Sequence, residues 1–171
     1  MAKIGIFYGS TEGNTERVSQ KIQEAFGGED VVALHNVNSA TSDDMQEYKY
    51  LILAAPTWDI GELQEDWDAF IDEIEDVDYN GKMVAYLGLG DAEGYPDTFI
   101  ESPGIIHERI KDSGADFVGF WPTDGYDYEA SGSEIDGKFL GLVIDEDNQA
   151  DLTDDRVAKW VEQLKSEGFG A

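Results

Sequence analysis

Short apolar runs alternate along this chain with stretches in which apolar residues recur every three to four positions. The runs at 3–8, 31–37, 50–55, 83–88 and 115–120 predict strands, and a sixth short one follows at 139–143. The stretches 15–26, 42–47, 64–75, 105–112 and 154–167 predict helices. In the first of them Val18, Ile22 and Phe26 share one side. Trp67, Phe70, Ile71 and Ile74, and later Val157, Trp160, Val161 and Leu164, recur at helical spacing. Stripes of this kind face a core. Tyr50-Leu51-Ile52-Leu53-Ala54-Ala55 and Met83-Val84-Ala85-Tyr86-Leu87 are apolar on both faces. Such strands belong inside a parallel sheet covered by helices on each side. Five β-α repeats with short connections therefore predict a doubly wound α/β fold on a five-stranded parallel sheet. The polar, acidic, glycine-bearing stretch 121–138 reads as a long insertion in the fifth strand, because apolar strand character resumes at Phe139. No repeat, low-complexity tract or linker divides the sequence, so one domain over 1–171 is expected.

Composition narrows the function. A chain of 171 residues, 41% hydrophobic and 12% aromatic, can bury a substantial core, which argues against disorder. Its 38 acids against 11 bases give a formal charge of −27. That disfavours nucleic acid and anionic membranes, whose phosphates would be repelled. It suits solubility and steering toward basic partners, or simply a solvated acidic surface. The absence of cysteine removes disulfides, thiol nucleophiles, cysteine-ligated iron–sulfur clusters and most structural zinc sites. Met1-Ala2-Lys3 leads straight into a strand, with no signal-peptide pattern and no run long enough to span a bilayer, so the cytoplasm is the expected compartment.

Ligands of doubly wound sheets sit beyond the carboxyl ends of the strands. Three segments leave strands there. The first, Ser10, Thr11, Glu12, Gly13, Asn14 and Thr15, opens a helix with free backbone N–H groups, a partial positive charge and three hydroxyls. It can hold a phosphate with no lysine or arginine within it. It has neither the G-x-G-x-x-G of a dinucleotide site nor the Gly-Lys-[Ser/Thr] of a Walker loop, so a terminal phosphate monoester suits it best. The second, Pro56, Thr57, Trp58, Asp59, Ile60 and Gly61, places an indole at the ligand edge, either tucked into the core or stacked on a planar ligand. The third, Gly88, Leu89, Gly90 and Asp91 with Tyr95, adds a second ring behind glycines that let backbone approach a ligand. Together the three describe a site for a phosphorylated planar heterocycle. His35 and His107 are isolated, and Asp145 to Asp151 lacks the glycine and glutamate of a calcium loop; the acids from Asp151 to Asp155 are expected to cap the last helix.

These segments resemble the flavodoxins, specifically the long-chain, cyanobacterial-type group. Pro56-Thr57-Trp58-Asp59-Ile60-Gly61-Glu62-Leu63, Asp124-Gly125-Tyr126, Gly137-Lys138-Phe139-Leu140-Gly141-Leu142 and Asp145-Glu146-Asp147-Asn148-Gln149 extend the likeness over nearly the whole chain. The resemblance implies strand order 2-1-3-4-5 and a non-covalent FMN. Ser10 to Thr15 would hold its phosphate, and Trp58 and Tyr95 would flank its ring. Backbone of Asp59, Ile60, Gly61, Leu89, Gly90 and Asp91 would meet the polar edge, and Thr57, Thr98 and Asp147 the ribityl surroundings. Glu12 stands where threonine is usual and should face solvent. Asp59 stands where asparagine or glycine is common, at a peptide expected to turn over on one-electron reduction. The implied function is a low-potential one-electron carrier, a monomer acting in place of ferredoxin, rather than an enzyme. The implied partners are ferredoxin–NADP reductase and photosystem I, with nitrogenase or ferredoxin-dependent bilin reductases as further options. A flavodoxin-like quinone or NAD(P)H reductase is the alternative, and nothing in the sequence resembles a nicotinamide site.

Overall fold

The computed structural model describes residues 2–10, 13–58 and 61–171, with Trp58 described through its backbone alone. The main elements are β1 (Ile4–Tyr8), α1 (Asn14–Phe26), β2 (Val32–Asn36), α2 (Ser42–Gln46), β3 (Tyr50–Trp58), α3 (Glu65–Phe70), β4 (Met83–Leu89), α4 (Glu101–Ile110), β5 and α5 (Thr153–Ser166). Strand β5 is in two halves, Asp116–Phe117 and Leu142–Ile144. Both pair in parallel with β4, the first opposite Met83 and Val84, the second opposite Leu87, Gly88 and Leu89. Parallel pairing of β1 with β2 and β3, and of β3 with β4, completes the order 2-1-3-4-5.

The alternation of side chains along each strand divides the core into two layers. Ile4, Ile6, Ile52, Ala85 and Leu87 face α1 and α5, where Val18, Ile22, Val157 and Trp160 are buried. Phe7, Leu51, Leu53, Val84 and Tyr86 face the other side, against Met45, Trp67, Phe70 and Ile106. This is why the inner strands are apolar throughout.

Helix ends follow local chemistry. Thr41 and Asp44 form a reciprocal capping box for α2. The stretch expected as one helix at 64–75 splits into α3 and a short 3-10 turn, Glu73–Asp76. Helix α4 begins four residues ahead of its expected start, because Pro103 lies in the first turn, where its missing N–H is harmless. The acids before α5 do not cap it. Leu152 occupies the cap position without a side-chain bond, and Asp154 and Asp155 lie in the first turn, favouring the helix dipole. The Thr153 hydroxyl instead donates to Glu146 at 2.8 Å.

The insertion carries a small antiparallel sheet of Trp121–Pro122, Lys138–Phe139 and Glu134–Ile135. Phe139 thus belongs to the insertion, and β5 resumes at Leu142 rather than at 139. Rings of Tyr126, Tyr128 and Phe139 pack round Phe99, with centroids 5.4–6.1 Å apart from it. The Arg156 guanidinium of α5 lies 4.1 Å over the Tyr126 ring, fastening the insertion to the body. No helix among the described residues is long and apolar enough to cross a membrane.

Candidate functional site

The helix start after β1 is built from small residues. Gly9 donates to the Ala54 carbonyl at 3.1 Å, and a Cβ on it would lie 2.3 Å from Gln64 Oε1 and 2.6 Å from the Trp67 ring. Only glycine lets the chain leave β1 so close to the buried Trp67. Ser10 Oγ accepts from the Gly13 N–H at 3.0 Å, closing the turn. Gly13 sits at the cap position with φ 91°, a left-handed conformation suited to glycine, and no side chain among the described residues caps α1. Among the described residues, the first N–H groups of this 13-residue helix have no side-chain cap. Asn14 opens the helix, and Thr15 is buried on its inner side. Asn14 Oδ1 accepts from the Arg17 guanidinium. A Cβ on Gly13 would be 3.0 Å from that guanidinium. The cation is placed just beside a turn that itself contains none. Its signal in the sequence is the three-residue spacing of Asn14 and Arg17 on one helix face. Thr11 and Glu12, with the expectation that Glu12 faces solvent, lie outside the described residues.

Strand β3 runs three residues further than expected and then doubles back, with Thr57 and Trp58 pairing antiparallel to Leu63 and Glu62. Asp59, Ile60 and the Trp58 side chain lie outside what is described. Gly61 reaches the third loop: a Cβ on it would meet Glu101 Cγ at 2.8 Å and Thr98 Cβ at 3.2 Å. Pro56 stands opposite Leu89 in the sheet. Thr57 Oγ1 accepts from the Ser102 N–H at 3.0 Å and donates to Ser102 Oγ at 3.1 Å, and Ser102 donates onward to the Pro56 carbonyl at 2.8 Å. Thr57 therefore pins β3 to α4, a task that sequence reasoning did not give it.

The third loop is densely self-bonded. Gly90 donates to the Ile144 carbonyl at 3.2 Å, Tyr95 to the Asp91 carbonyl at 2.9 Å, and Gly94 to Asp91 Oδ1 at 2.8 Å. The Gly94 N–H holds the Asp91 carboxyl below the usual carboxylate range, with burial opposing and the Asn148 amide reinforcing it. Leu89 is buried, whereas the Tyr95 ring is left 41% exposed. Asp91, Asp145 and Asp147 bring carboxylate oxygens within 4.8 Å of one another. Asn148, which sequence reasoning passed over, relieves that crowding. Its amide donates to Asp91 at 2.8 Å and to both Asp145 oxygens at 2.9 and 3.1 Å. His35 and His107 are engaged in aromatic packing, His35 stacked 4.6 Å from Phe7 and His107 bonded to the Tyr86 hydroxyl at 2.9 Å.

The carboxyl rim thus joins a helix start that no described side chain caps, hydroxyls, glycine backbone and an exposed ring, next to a group of carboxylates. It defines a doubly wound α/β protein with a rim shaped for a phosphorylated planar ring. The sequence profile of the family described as Flavodoxin matches residues 6–160. A flavodoxin of a Nostoc species is 54% identical over 168 residues, covering 98% of each chain. Flavodoxin 1 of Escherichia coli is 46% identical, covering 98% of this chain and 95% of its own. The crystal structure of a Fusobacterium nucleatum flavodoxin bound to flavin mononucleotide superposes with a TM-score of 0.91 at 32% identity, covering 98% of this chain and 99% of that one. The chain belongs to the flavodoxin family.

Proposed function

We propose that the carboxyl rim holds one FMN without a covalent link, and that the chain is a low-potential one-electron carrier acting in place of ferredoxin. The observation that carries this reading is the meeting, on one rim, of the start of α1, which no described side chain caps, and the exposed Tyr95. The likeness over the whole chain to a flavodoxin bound to flavin mononucleotide supports the same ligand.

The donor set fits. Neutral N–H groups and the hydroxyls of Ser10, Thr11 and Thr15 would hold a phosphate, with Gly13 and Asn14 lending backbone. Trp58 and Tyr95 would cover the two faces of the ring and exclude water. Backbone at Asp59, Ile60, Gly61, Gly88, Leu89, Gly90 and Asp91 would meet its polar edge, and Pro56, Thr57, Thr98 and Asp147 would border the remainder. The flavin supplies one-electron chemistry when bound, so the protein need provide no acid, base or nucleophile. Its residues set the electrostatics instead. A carboxylate at ~6 Å opposes a new negative charge by about 1–3 kcal/mol at an effective dielectric near 20. Asp91, Asp145 and Asp147 therefore lower the potential at which the site accepts its last electron.

As a flavodoxin the chain is an electron-transfer protein that serves redox partner proteins. The partners we propose are ferredoxin–NADP reductase and photosystem I, and the compartment the cytoplasm. The acidic surface would steer toward basic docking faces. Titration of the apoprotein with FMN, followed by stepwise reduction under a visible spectrum, tests the reading. Stoichiometric binding is expected, and the loaded protein should stay oxidised in NADPH until a reductase is added. A chain that takes up no FMN would overturn it.

A further inference from the structure

Ile100 is a β-branched residue in the left-handed region, at φ 56° and ψ 52°, and it is 1% exposed. Such a conformation is strained for isoleucine and persists only where its surroundings over-determine it. Two contacts do so. On the inner side its methyl groups fill the hollow left by Gly88 and Gly90, where a Cβ would lie 2.4 and 2.8 Å from them. On the outer side the insertion grips its peptide. Ser133, 1% exposed, donates its hydroxyl to the Ile100 carbonyl and accepts from the Gly104 N–H at 2.8 Å. The same stretch of insertion is laced along the third loop. The N–H groups of Glu129 and Ala130 donate to the Pro96 carbonyl at 2.8 and 3.0 Å, and Phe99 donates to the Ala130 carbonyl at 3.2 Å. Tyr95 thus stands next to the first of these bonds, and the backbone of Gly88 to Gly90 rests on the strained residue at the last.

We propose that Ser133 is a positioning residue for the Tyr95 ring: through the Ile100 carbonyl it locks the loop between Gly88 and Ile100, so the insertion sets how closely the outer face of the bound flavin is covered. The inference rests on the reading that this loop is a wall of the FMN site. Removing the Ser133 hydroxyl leaves the half-buried Gly104 N–H without that acceptor and the Ile100 carbonyl with the longer bond from the Ser131 hydroxyl at 3.4 Å, so the left-handed peptide loses its tighter tie. The loop then relaxes, and the ring loses its fixed place.

The test is a double-mutant cycle on FMN affinity, measured by fluorescence quenching with the apoproteins, joined to urea unfolding of each apoprotein. Ser133→Ala should weaken FMN binding about tenfold in the native background. In a Tyr95→Leu background, where the ring is absent, the same substitution should change affinity less than about twofold. A loss of stability alone would not vanish in that background, so the cycle separates positioning from support of the fold. Ser133→Cys fills the site with a slightly larger group that is a much weaker donor, and it replaces the alanine variant in the same cycle should that one not fold. Unchanged affinity in the native background, or an equal loss with and without the Tyr95 ring, would overturn the proposal. Failure of the native chain itself to bind FMN would instead remove the reading of the site.

Discussion

The two edges of the sheet use charged side chains differently. A lysine stands immediately before β1, β3 and β4, at Lys3, Lys49 and Lys82. Because these strands are parallel, all three lie at the amino edge, and two of them are tied down locally. Lys82 donates to the carbonyls of Gln46 and Tyr48, and Lys49 lies 5.4 Å over the Tyr50 ring. At the carboxyl edge the loops leaving β1, β4 and β5 present glycine, hydroxyls and the carboxylates of Asp91, Asp145 and Asp147. Three of the chain's 11 bases stand at the far edge, whereas three carboxylates gather at the ligand rim, with Arg17 beside the phosphate turn. The difference teaches that anion binding and anion repulsion coexist on one rim. In the proposed site, oriented backbone dipoles would act at short range on a phosphate, while the carboxylates would act on the ring.

Substitutions can break this division. The largest effect is expected at the amino edge. Lys82→Met strips the buried Tyr48 carbonyl and the half-buried Gln46 carbonyl of a charged donor and should cost about 2–3 kcal/mol in urea unfolding, with FMN affinity unchanged. A fall in affinity as well would show that the two edges are coupled. Next comes ionic strength. Association with a basic redox partner should slow about tenfold between 0.05 and 0.5 M salt in stopped-flow measurements, because long-range steering is screened. Asp91→Asn keeps an acceptor for the Gly94 N–H but removes one rim charge, so the potential of the second one-electron step should rise by about 30–60 mV, near 1 kcal/mol. The smallest effect is a pH dependence remote from both edges. Burial pushes the His107 imidazole below its ordinary value. Its neutral form therefore favours the folded state. That contribution is complete above the ordinary histidine value of about 6.5 and is lost as pH falls through the lower folded value. His107→Gln should flatten the decline of Tm between pH 7.5 and 5.

The doubly wound order is legible because β3 and β4 are apolar on both faces and α1 and α5 carry one clean apolar stripe. The three rim segments are legible for a different reason, since glycine, hydroxyl and aromatic residues cluster only where strands end. Periodicity does not show where a helix breaks. In 64–75 the spacing of Trp67, Phe70, Ile71 and Ile74 is helical throughout, yet the chain changes to a 3-10 turn in which Arg109 of α4 draws Asp72 and Glu75 together. Nor does local pattern reveal contacts across long separations. Thr57 reads as a ligand residue, but its hydroxyl is held by Ser102, forty-five positions away. The left-handed Ile100 carries no local signal, because isoleucine is among the last residues expected there. Only the packing of Gly88, Gly90 and Ser133 around it makes that conformation stable.

The seam in β5 bears on how such chains change length through descent. Phe117 lies opposite Val84 and Leu142 opposite Leu87, so the two halves are separated along β4 by only Ala85 and Tyr86. Two residues would span the same rise that some twenty-four now bypass as a detour. A genetic gain or loss of the whole detour can therefore occur without shifting the register of any other strand; where the detour is present it must re-enter the sheet through glycine, because a Cβ on Gly141 would lie 1.9 Å from the Tyr86 carbonyl oxygen.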